Sequence, residues 1–108
     1  MDPQPVKALI DTGARRTVIA PAAAARCKLV AINTDRIFVV GGGEVKGPVY
    51  SAQILFDPSP LASWPAMEII QADLHHPAIE CLIGRDLLRR WILEYDGPSG
   101  ELAISEYE

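Results

Sequence analysis

The sequence has few of the residues and patterns that mark several large classes of protein. It contains two cysteines, Cys27 and Cys81, in 108 residues, which argues against a disulfide framework and against a zinc site. No basic cluster exceeds two residues and the formal net charge is −4, so neither nucleic acid nor an anionic membrane surface is an expected partner. No apolar run reaches transmembrane length, and residues 1–5 lack the features of a signal peptide.

Aromatic residues make up 6% of the chain, so isoleucine, leucine, valine and alanine must fill the core. The length predicts one domain, residues 1–108, in which residues 1–5 form a proline-rich extended arm. Short β-branched runs predict about seven strands, and two short helices are predicted after Pro21 and from Arg85 to Trp91. Glycine-containing turns predict hairpins between 37–40 and 45–56 and between 92–95 and 102–104. The predicted fold class is therefore mostly β.

The stretch from Ala8 to Ala14 carries the clearest chemical signal in the sequence. Three apolar residues lead directly into Asp11, which is followed by Thr12 and Gly13. A carboxylate at the end of a buried strand is costly to desolvate, so it usually has partners or a task. The glycine allows a tight turn just beyond it. By itself, however, the Asp-Thr-Gly tripeptide also fits an ordinary strand end closed by an Asx-type turn.

Two further clusters of residues allow both a functional and a passive interpretation. Three consecutive glycines, Gly41, Gly42 and Gly43, are more than a tight turn needs, so they predict a mobile hairpin tip, although a surface turn without a task fits the same residues. The adjacent His75 and His76 face different directions on any regular element, and no third ligand lies at metal-binding spacing. Solvated loop histidines are the preferred interpretation, and no metal site is expected.

Two segments together resemble a known family. One comprises Ala8-Leu9-Ile10-Asp11-Thr12-Gly13-Ala14 followed by Thr17-Val18-Ile19, and the other is Cys81-Leu82-Ile83-Gly84-Arg85-Asp86-Leu87-Leu88. They resemble the retropepsins, the retroviral-type aspartic proteases, and most of all their single-domain bacterial and eukaryotic relatives. The match in order and spacing extends over residues 6–104. It implies a retropepsin-like, closed, barrel-like half of an acid protease, with one short helix after the Asp loop, one C-terminal helix and a flap hairpin at 39–49.

The resemblance also implies an activity, that of an aspartic endopeptidase acting on peptide or protein substrates. Asp11, Thr12 and Gly13 would be catalytic: Asp11 activates water, Thr12 hydrogen-bonds across a two-fold axis, and Gly13 gives the substrate backbone room. The chain has one Asp-Thr-Gly, so the second carboxylate would come from Asp11 of another copy in a homodimer. Water is the nucleophile, so no cofactor is implied. The residues implied to contact substrate are Ala14, Arg15, Val40, Gly41, Gly42, Gly43 and Ile83, and those implied to support the loop are Gly84, Arg85 and Asp86.

The sequence departs from the family pattern in three places, and one is the flap tip, where Gly41, Gly42 and Gly43 include no apolar residue. Retropepsins usually carry a full strand before the one leading into the Asp loop, whereas here only residues 1–5 precede it. Retroviral enzymes have an acidic residue where this chain has Arg15. If the acidic and basic residues of the retroviral ion pair have exchanged positions here, Arg15 pairs with Asp86 beneath the active site, and we expect this ion pair. In the alternative, Asp86 caps its own helix and Arg15 reaches solvent or substrate.

Other functions fit the same fold. A catalytically inactive dimerisation or peptide-binding module could accept a peptide as an added strand without cleaving it. A third interpretation treats the chain as one half of a larger, membrane-anchored protease. Either a cytoplasmic location or a soluble domain of such a protein is compatible with the sequence, and the domain itself is not expected to contact a membrane. The expected dimer-interface element is the C-terminal strand, 102–104.

Overall fold

The structure is a computed structural model that describes residues 3–38, 43–56 and 64–106. Its two helices and eight strands follow the chain in the order β1 (Ala8–Ile10), β2 (Val18–Ile19), α1 (Pro21–Arg26), β3 (Ala31–Phe38), β4 (Glu44–Ile54), β5 (Trp64–Gln71), β6 (Cys81–Ile83), α2 (Arg85–Leu88), β7 (Trp91–Asp96) and β8 (Glu101–Glu106). The mostly β class and both short helices are confirmed.

Six strands form one sheet in the order β1-β6-β2-β5-β4-β3, and β7 and β8 form a second, two-stranded sheet. β1 runs parallel to β6, and β2 runs antiparallel to β6 but parallel to β5. In the described part of the chain β1 and β3 are the two edges of an open sheet. The expectation of a closed, barrel-like sheet is therefore wrong in this detail: the three-residue β1 pairs with β6 alone.

The core occupies both faces of the six-stranded sheet. Successive side chains on a strand point to opposite faces, and each of β2, β4 and β5 contributes adjacent buried residues to two separate clusters. One cluster, against α1, contains Ile19, Ala23, Ala24, Tyr50, Ala52 and Ile69. The other contains Val18, Val49 and Ile70, with half-buried residues such as Leu82 packed against it. Both clusters thus include residues of β2, and the second also contacts Leu82 of β6, the strand next to β1.

The central hairpin joins β3 to β4 in antiparallel register out to Phe38 and Glu44. The sequence predicts its outgoing strand over 37–40, but the strand begins at Ala31. No strand was predicted over 31–36, and these residues are exposed on β3, which is an edge strand of the sheet. Residues 39–42 of the predicted tip lie outside the described residues.

The C-terminal hairpin, β7 and β8, extends from the end of α2. The predicted helix 85–91 ends at Leu88, and Trp91 instead begins β7. The Trp91 ring is buried and meets the Phe56 ring edge to face, with ring centroids 5.0 Å apart. This contact anchors the base of the hairpin, while its far end projects away from the core.

Candidate active site

The loop that carries Asp11 begins where two parallel strands end together. β1 and β6 pair in register from Ala8–Cys81 to Ile10–Ile83, so Asp11 and Gly84 follow at the same edge of the sheet. The N–H of Asp11 donates to the carbonyl of Ile83 at 3.0 Å and extends this pairing by one residue. The two sequence segments that carry the family resemblance are thus adjacent in space.

The Asp11 carboxylate is fixed by its own turn. The N–H of Gly13 donates to Asp11 Oδ1 at 3.0 Å, and the N–H of Ala14 donates to the Asp11 carbonyl at 3.1 Å. A Cβ on residue 13 would lie 3.3 Å from Asp11 Oδ1, so glycine gives the carboxylate room. Asp11 is half-buried, whereas Thr12 and Gly13 are exposed. Within the described residues Oδ2 accepts no hydrogen bond, which leaves it available to an external group.

Arg85, the first residue of α2, supports the loop from below. Its N–H donates to the carbonyl of Ala14 at 2.8 Å, and its guanidinium Nη1 donates to the carbonyl of Thr12 at 3.0 Å. One residue therefore ties two carbonyls of the turn to the helix. The supporting role that the resemblance implies for Arg85 stays a prediction.

Asp86 and Thr17 form the most buried polar contact near the site. Thr17 donates to the Asp86 carboxylate twice, from its N–H to Oδ2 at 2.9 Å and from Oγ1 to Oδ1 at 2.7 Å. The Thr17 hydroxyl also accepts from the N–H of Gly84 at 3.2 Å. Thr17 is 1% exposed. Nothing in the sequence around Thr17 predicts this contact, because its partner lies 69 residues away.

The expected ion pair between Arg15 and Asp86 is wrong. Among the described residues no salt bridge joins them, because Thr17 and the N–H of Leu87 occupy the Asp86 carboxylate. The arginine that forms a salt bridge is the next one: Arg16 Nη1 lies 2.9 Å from Asp35 Oδ2 on β3. The N–H of Arg36 and, second, the Arg16 guanidinium lower the pKa of the Asp35 carboxyl.

The residues proposed to contact substrate have different surroundings. Ala14 and Ile83 are half-buried beside the Asp11 turn, and Arg15 is exposed. Gly43 is exposed and has φ +112°, which favours glycine at the start of the return strand. Val40, Gly41 and Gly42 lie outside the described residues.

Glu80 holds the segment that leads into β1, a role that sequence analysis missed. Its carboxylate accepts from Arg26 at 2.7 and 3.0 Å and from the N–H of Lys7 at 3.3 Å. Arg26 also donates to the carbonyl of Pro5 at 3.0 Å. The hydrogen bonds from Arg26 and then Lys7 lower the pKa of the Glu80 carboxyl. The arm before β1 is thus attached to α1 and to the residue that precedes β6.

The cysteines are unpaired, and one of the two histidines accepts hydrogen bonds from its own loop. Both cysteines are free thiols, and burial raises the pKa of Cys81 to about 11, with a smaller contribution from Asp86. His76 Nδ1 accepts from the N–H groups of Ala78 and Ile79.

Across residues 3–38, 43–56 and 64–106, no three His, Cys, Asp or Glu side chains are grouped as metal ligands would be. The same ranges contain no helix long and apolar enough to cross a bilayer.

Comparisons with known proteins agree with this geometry. A family model described as "Aspartyl protease" matches residues 1–87. The chain is 34% identical over 109 residues to the "DNA damage-inducible protein 1" of Chaetomium globosum, and the match covers 95% of this chain but 23% of that protein. It is also similar to the crystal structure of the retroviral protease-like domain of Ddi1 from Leishmania major. That similarity has a TM-score of 0.50 and 22% identity, and it covers 93% of this chain and 78% of the other.

Proposed function

The chain belongs to the aspartyl protease family, and from that premise we propose that it is an aspartic endopeptidase active as a homodimer. The observation that carries the proposal is the Asp11 turn: a half-buried carboxylate at a strand end, with one oxygen held by the Gly13 N–H and the other without a hydrogen bond among the described residues. Such a carboxylate can take a proton from water while the water attacks a peptide carbonyl.

The chemistry needs a second carboxylate. Two acids at contact distance cannot both ionise, so they share one proton: the ionised one activates water and the protonated one donates to the scissile carbonyl. Asp-Thr-Gly occurs once in the sequence. Asp86, the acidic residue closest in sequence to Gly84, is occupied by Thr17. The second carboxylate in our proposal is therefore Asp11 of another copy, related by a two-fold axis.

The C-terminal hairpin supports a dimer of this kind. One face of the hairpin is mostly apolar: it carries Trp91, Leu93, Tyr95, Leu102 and Ile104, with Glu106 opposite Trp91 at the base. Trp91 is buried at the base, but towards the tip Tyr95 is 72% exposed and Leu102 is 45% exposed. Exposed aromatic and aliphatic side chains in one row are typical of the centre of a protein interface. We propose that this face packs against its counterpart in a second copy, which agrees with the expected role of 102–104.

Leu102→Glu should weaken dimerisation, because it would bury a charge in an apolar interface. We expect the dimer dissociation constant to rise about tenfold or more, measured by sedimentation equilibrium, with specific activity falling at lower protein concentrations than for the wild type. Ala103→Glu is the matched control, since Ala103 is also exposed but lies on the opposite face of the same strand. Equal dissociation constants for both variants would exclude the apolar face as the interface.

Incubation with a denatured protein and a peptide library, from acidic to neutral pH, tests the proposed function. Asp11→Asn should abolish cleavage and leave the circular dichroism spectrum unchanged, because an amide oxygen can still accept from Gly13. Asp73→Asn is the control, since it removes a carboxylate that is 69% exposed and accepts from its own loop. Cleavage that survives Asp11→Asn contradicts the proposal. A wild type that binds peptides but cuts none favours the non-catalytic binding module.

A further inference from the structure

We propose that the ion pair between Arg16 and Asp35 is a tether that holds the central hairpin in place beside the Asp11 loop, and that both are positioning residues for substrate binding. Arg16 Nη1 lies 2.9 Å from Asp35 Oδ2. Arg16 follows the Asp11 turn, whereas Asp35 lies on β3, the outgoing strand of the hairpin. This inference rests on the proposed function, because the substrate concerned is the peptide that the enzyme would cleave.

The Arg16 end of the tether is fixed to the segment that follows β6. The backbone of Arg16 packs so closely on Gly84 that a Cβ at position 84 would lie 2.5 Å from the Arg16 carbonyl carbon and oxygen. On the next residue, the N–H of Thr17 donates to the Asp86 carboxylate at 2.9 Å. The guanidinium therefore reaches β3 from a backbone that is held on two sides, so we expect movement that separates the pair to occur in the hairpin.

The Asp35 end of the tether lies where the hairpin leaves the six-stranded sheet. Asp35 pairs with Gly47 of β4, and β4 pairs with β5 from Val49 onwards. Within the described residues, the part of the hairpin beyond the Asp35–Gly47 pair has no third strand beside it. At the same place a Cβ on Gly47 would clash with the carbonyl oxygen of Gln71. The tether therefore acts at the point where the hairpin passes the end of β5.

The hairpin has room to move on the side of β4. A cleft of about 280 Å³ lies between the hairpin and the loop that follows β5, with Lys46 and Asp73 among its lining residues. Ile37 supplies an apolar contact, since it is half-buried against the cluster that contains Val18 and Ile70. Apolar contacts are not directional, so they permit small displacements that a guanidinium–carboxylate hydrogen bond opposes. The ion pair thus favours one position of the hairpin.

The pair is too exposed to matter much for the stability of the fold. The Arg16 side chain is 29% exposed and the Asp35 side chain 58% exposed, and such pairs contribute little to unfolding free energy. Substrate affinity responds differently. If a peptide binds only when the hairpin is in the tethered position, its apparent dissociation constant rises as the fraction of molecules in that position falls. Loss of a surface ion pair can lower that fraction about threefold.

Asp35→Asn tests the tether, because an amide oxygen can still accept from the N–H of Arg36 but the charge that pairs with Arg16 is lost. With a library peptide that the wild type cleaves, KM should rise about threefold and kcat should stay unchanged. Arg16→Asp should also raise KM. The exchanged pair, Arg16→Asp with Asp35→Arg, should restore the wild-type KM. All variants are compared at protein concentrations well above the dimer dissociation constant.

Glu44→Gln is the matched control. It removes the exposed ion pair of Glu44 with Arg36, which links the two strands of the hairpin to each other and does not reach the Asp11 loop. Its KM should equal that of the wild type. A KM raised equally by Glu44→Gln and Asp35→Asn would mean that any loosening of the hairpin has this effect, which overturns the tether and leaves the proposed protease intact.

Hydrogen exchange gives a second measurement, which needs no cleavage. In Asp35→Asn the amides of residues 36–38 and 44–46 should exchange about threefold faster than in the wild type, and the exchanged pair should restore the wild-type rate. Unchanged exchange in Asp35→Asn overturns the tether, and faster exchange with an unchanged KM overturns its role in substrate binding. Faster exchange in a protein that cleaves no peptide supports the tether and contradicts the proposed protease.

Discussion

A mixture of equal amounts of wild-type and Asp11→Asn subunits should retain about a quarter of the wild-type activity, since random pairing makes about one dimer in four fully wild type. The reason is that the proposed site takes one Asp11 from each subunit, so a mixed dimer has one carboxylate and cannot share a proton between two. Asp11→Asn alone should lose about 10³-fold or more in kcat/KM. Activity is measured at fixed total protein after subunit exchange has reached equilibrium.

The shape of the titration is the informative result. As the fraction of Asp11→Asn subunits rises, activity should follow the square of the wild-type fraction. Subunits carrying Asp73→Asn, mixed in the same way, should leave activity unchanged and so show that mixing itself does no harm. A straight line that reaches one half at equal amounts would mean that each subunit works alone, which contradicts the homodimer mechanism.

The features of the site that could be predicted from the sequence are those formed by residues that are close together in the sequence. The turn after Asp11 needs an acceptor side chain and a glycine two residues later, and both are visible in the sequence. The supporting position of Arg85 could also be expected, but from the resemblance. What placed Asp11 and Arg85 together is the parallel pairing of β1 with β6, and nothing in either short strand specifies its partner.

The contacts that the sequence did not reveal are long-range ones between residues of ordinary type. Thr17 and Asp86 are 69 positions apart, and Arg26 and Glu80 are 54 apart. A threonine in a β-branched run and a glutamate in a loop have many possible partners, so only the tertiary fold selects one. The expectation of an Arg15–Asp86 ion pair was wrong for the same reason, since the partner of Asp86 is selected by the tertiary fold. The charge pattern around the loop suggested a partner, but Asp86 was already occupied.

Strand β3 shows how exposure hides secondary structure. Residues 31–36 include Asn33, Asp35 and Arg36, and this polar run lacks a hydrophobic face. It forms a strand because β4 supplies hydrogen-bonding partners along it, from Tyr50 to Glu44. The pairing also brings Asp35 to Arg16, next to the Asp11 loop. The hairpin is therefore connected to the candidate site through Asp35 of its outgoing strand.

Gly84→Ala should cause the largest loss of stability of any single methyl addition in the site. A Cβ at this position would lie 2.5 Å from both the carbonyl carbon and the oxygen of Arg16. These are backbone atoms, and the adjacent Thr17 is fixed by Asp86 and by the N–H of Gly84 itself. The loop cannot move away without breaking the buried Thr17–Asp86 contact. We expect the free energy of unfolding to fall by about 3 kcal/mol or more, measured by urea denaturation at one fixed protein concentration because dimerisation contributes to stability.

Gly97→Ala is the matched control for this substitution, since its Cβ would meet nothing closer than Tyr95 Cε2 at 4.0 Å. The change at Gly97 should alter the free energy of unfolding by no more than about 0.5 kcal/mol. If Gly84→Ala still folds at low temperature, its structure should show which segment has shifted to make room for the added Cβ. Loss of cleavage with a well-folded sheet would mean that the Asp11 loop moved, because Arg85 directly follows the altered residue and holds the carbonyls of Thr12 and Ala14. Wild-type stability and activity in Gly84→Ala would contradict the close packing of these two segments on which the site depends.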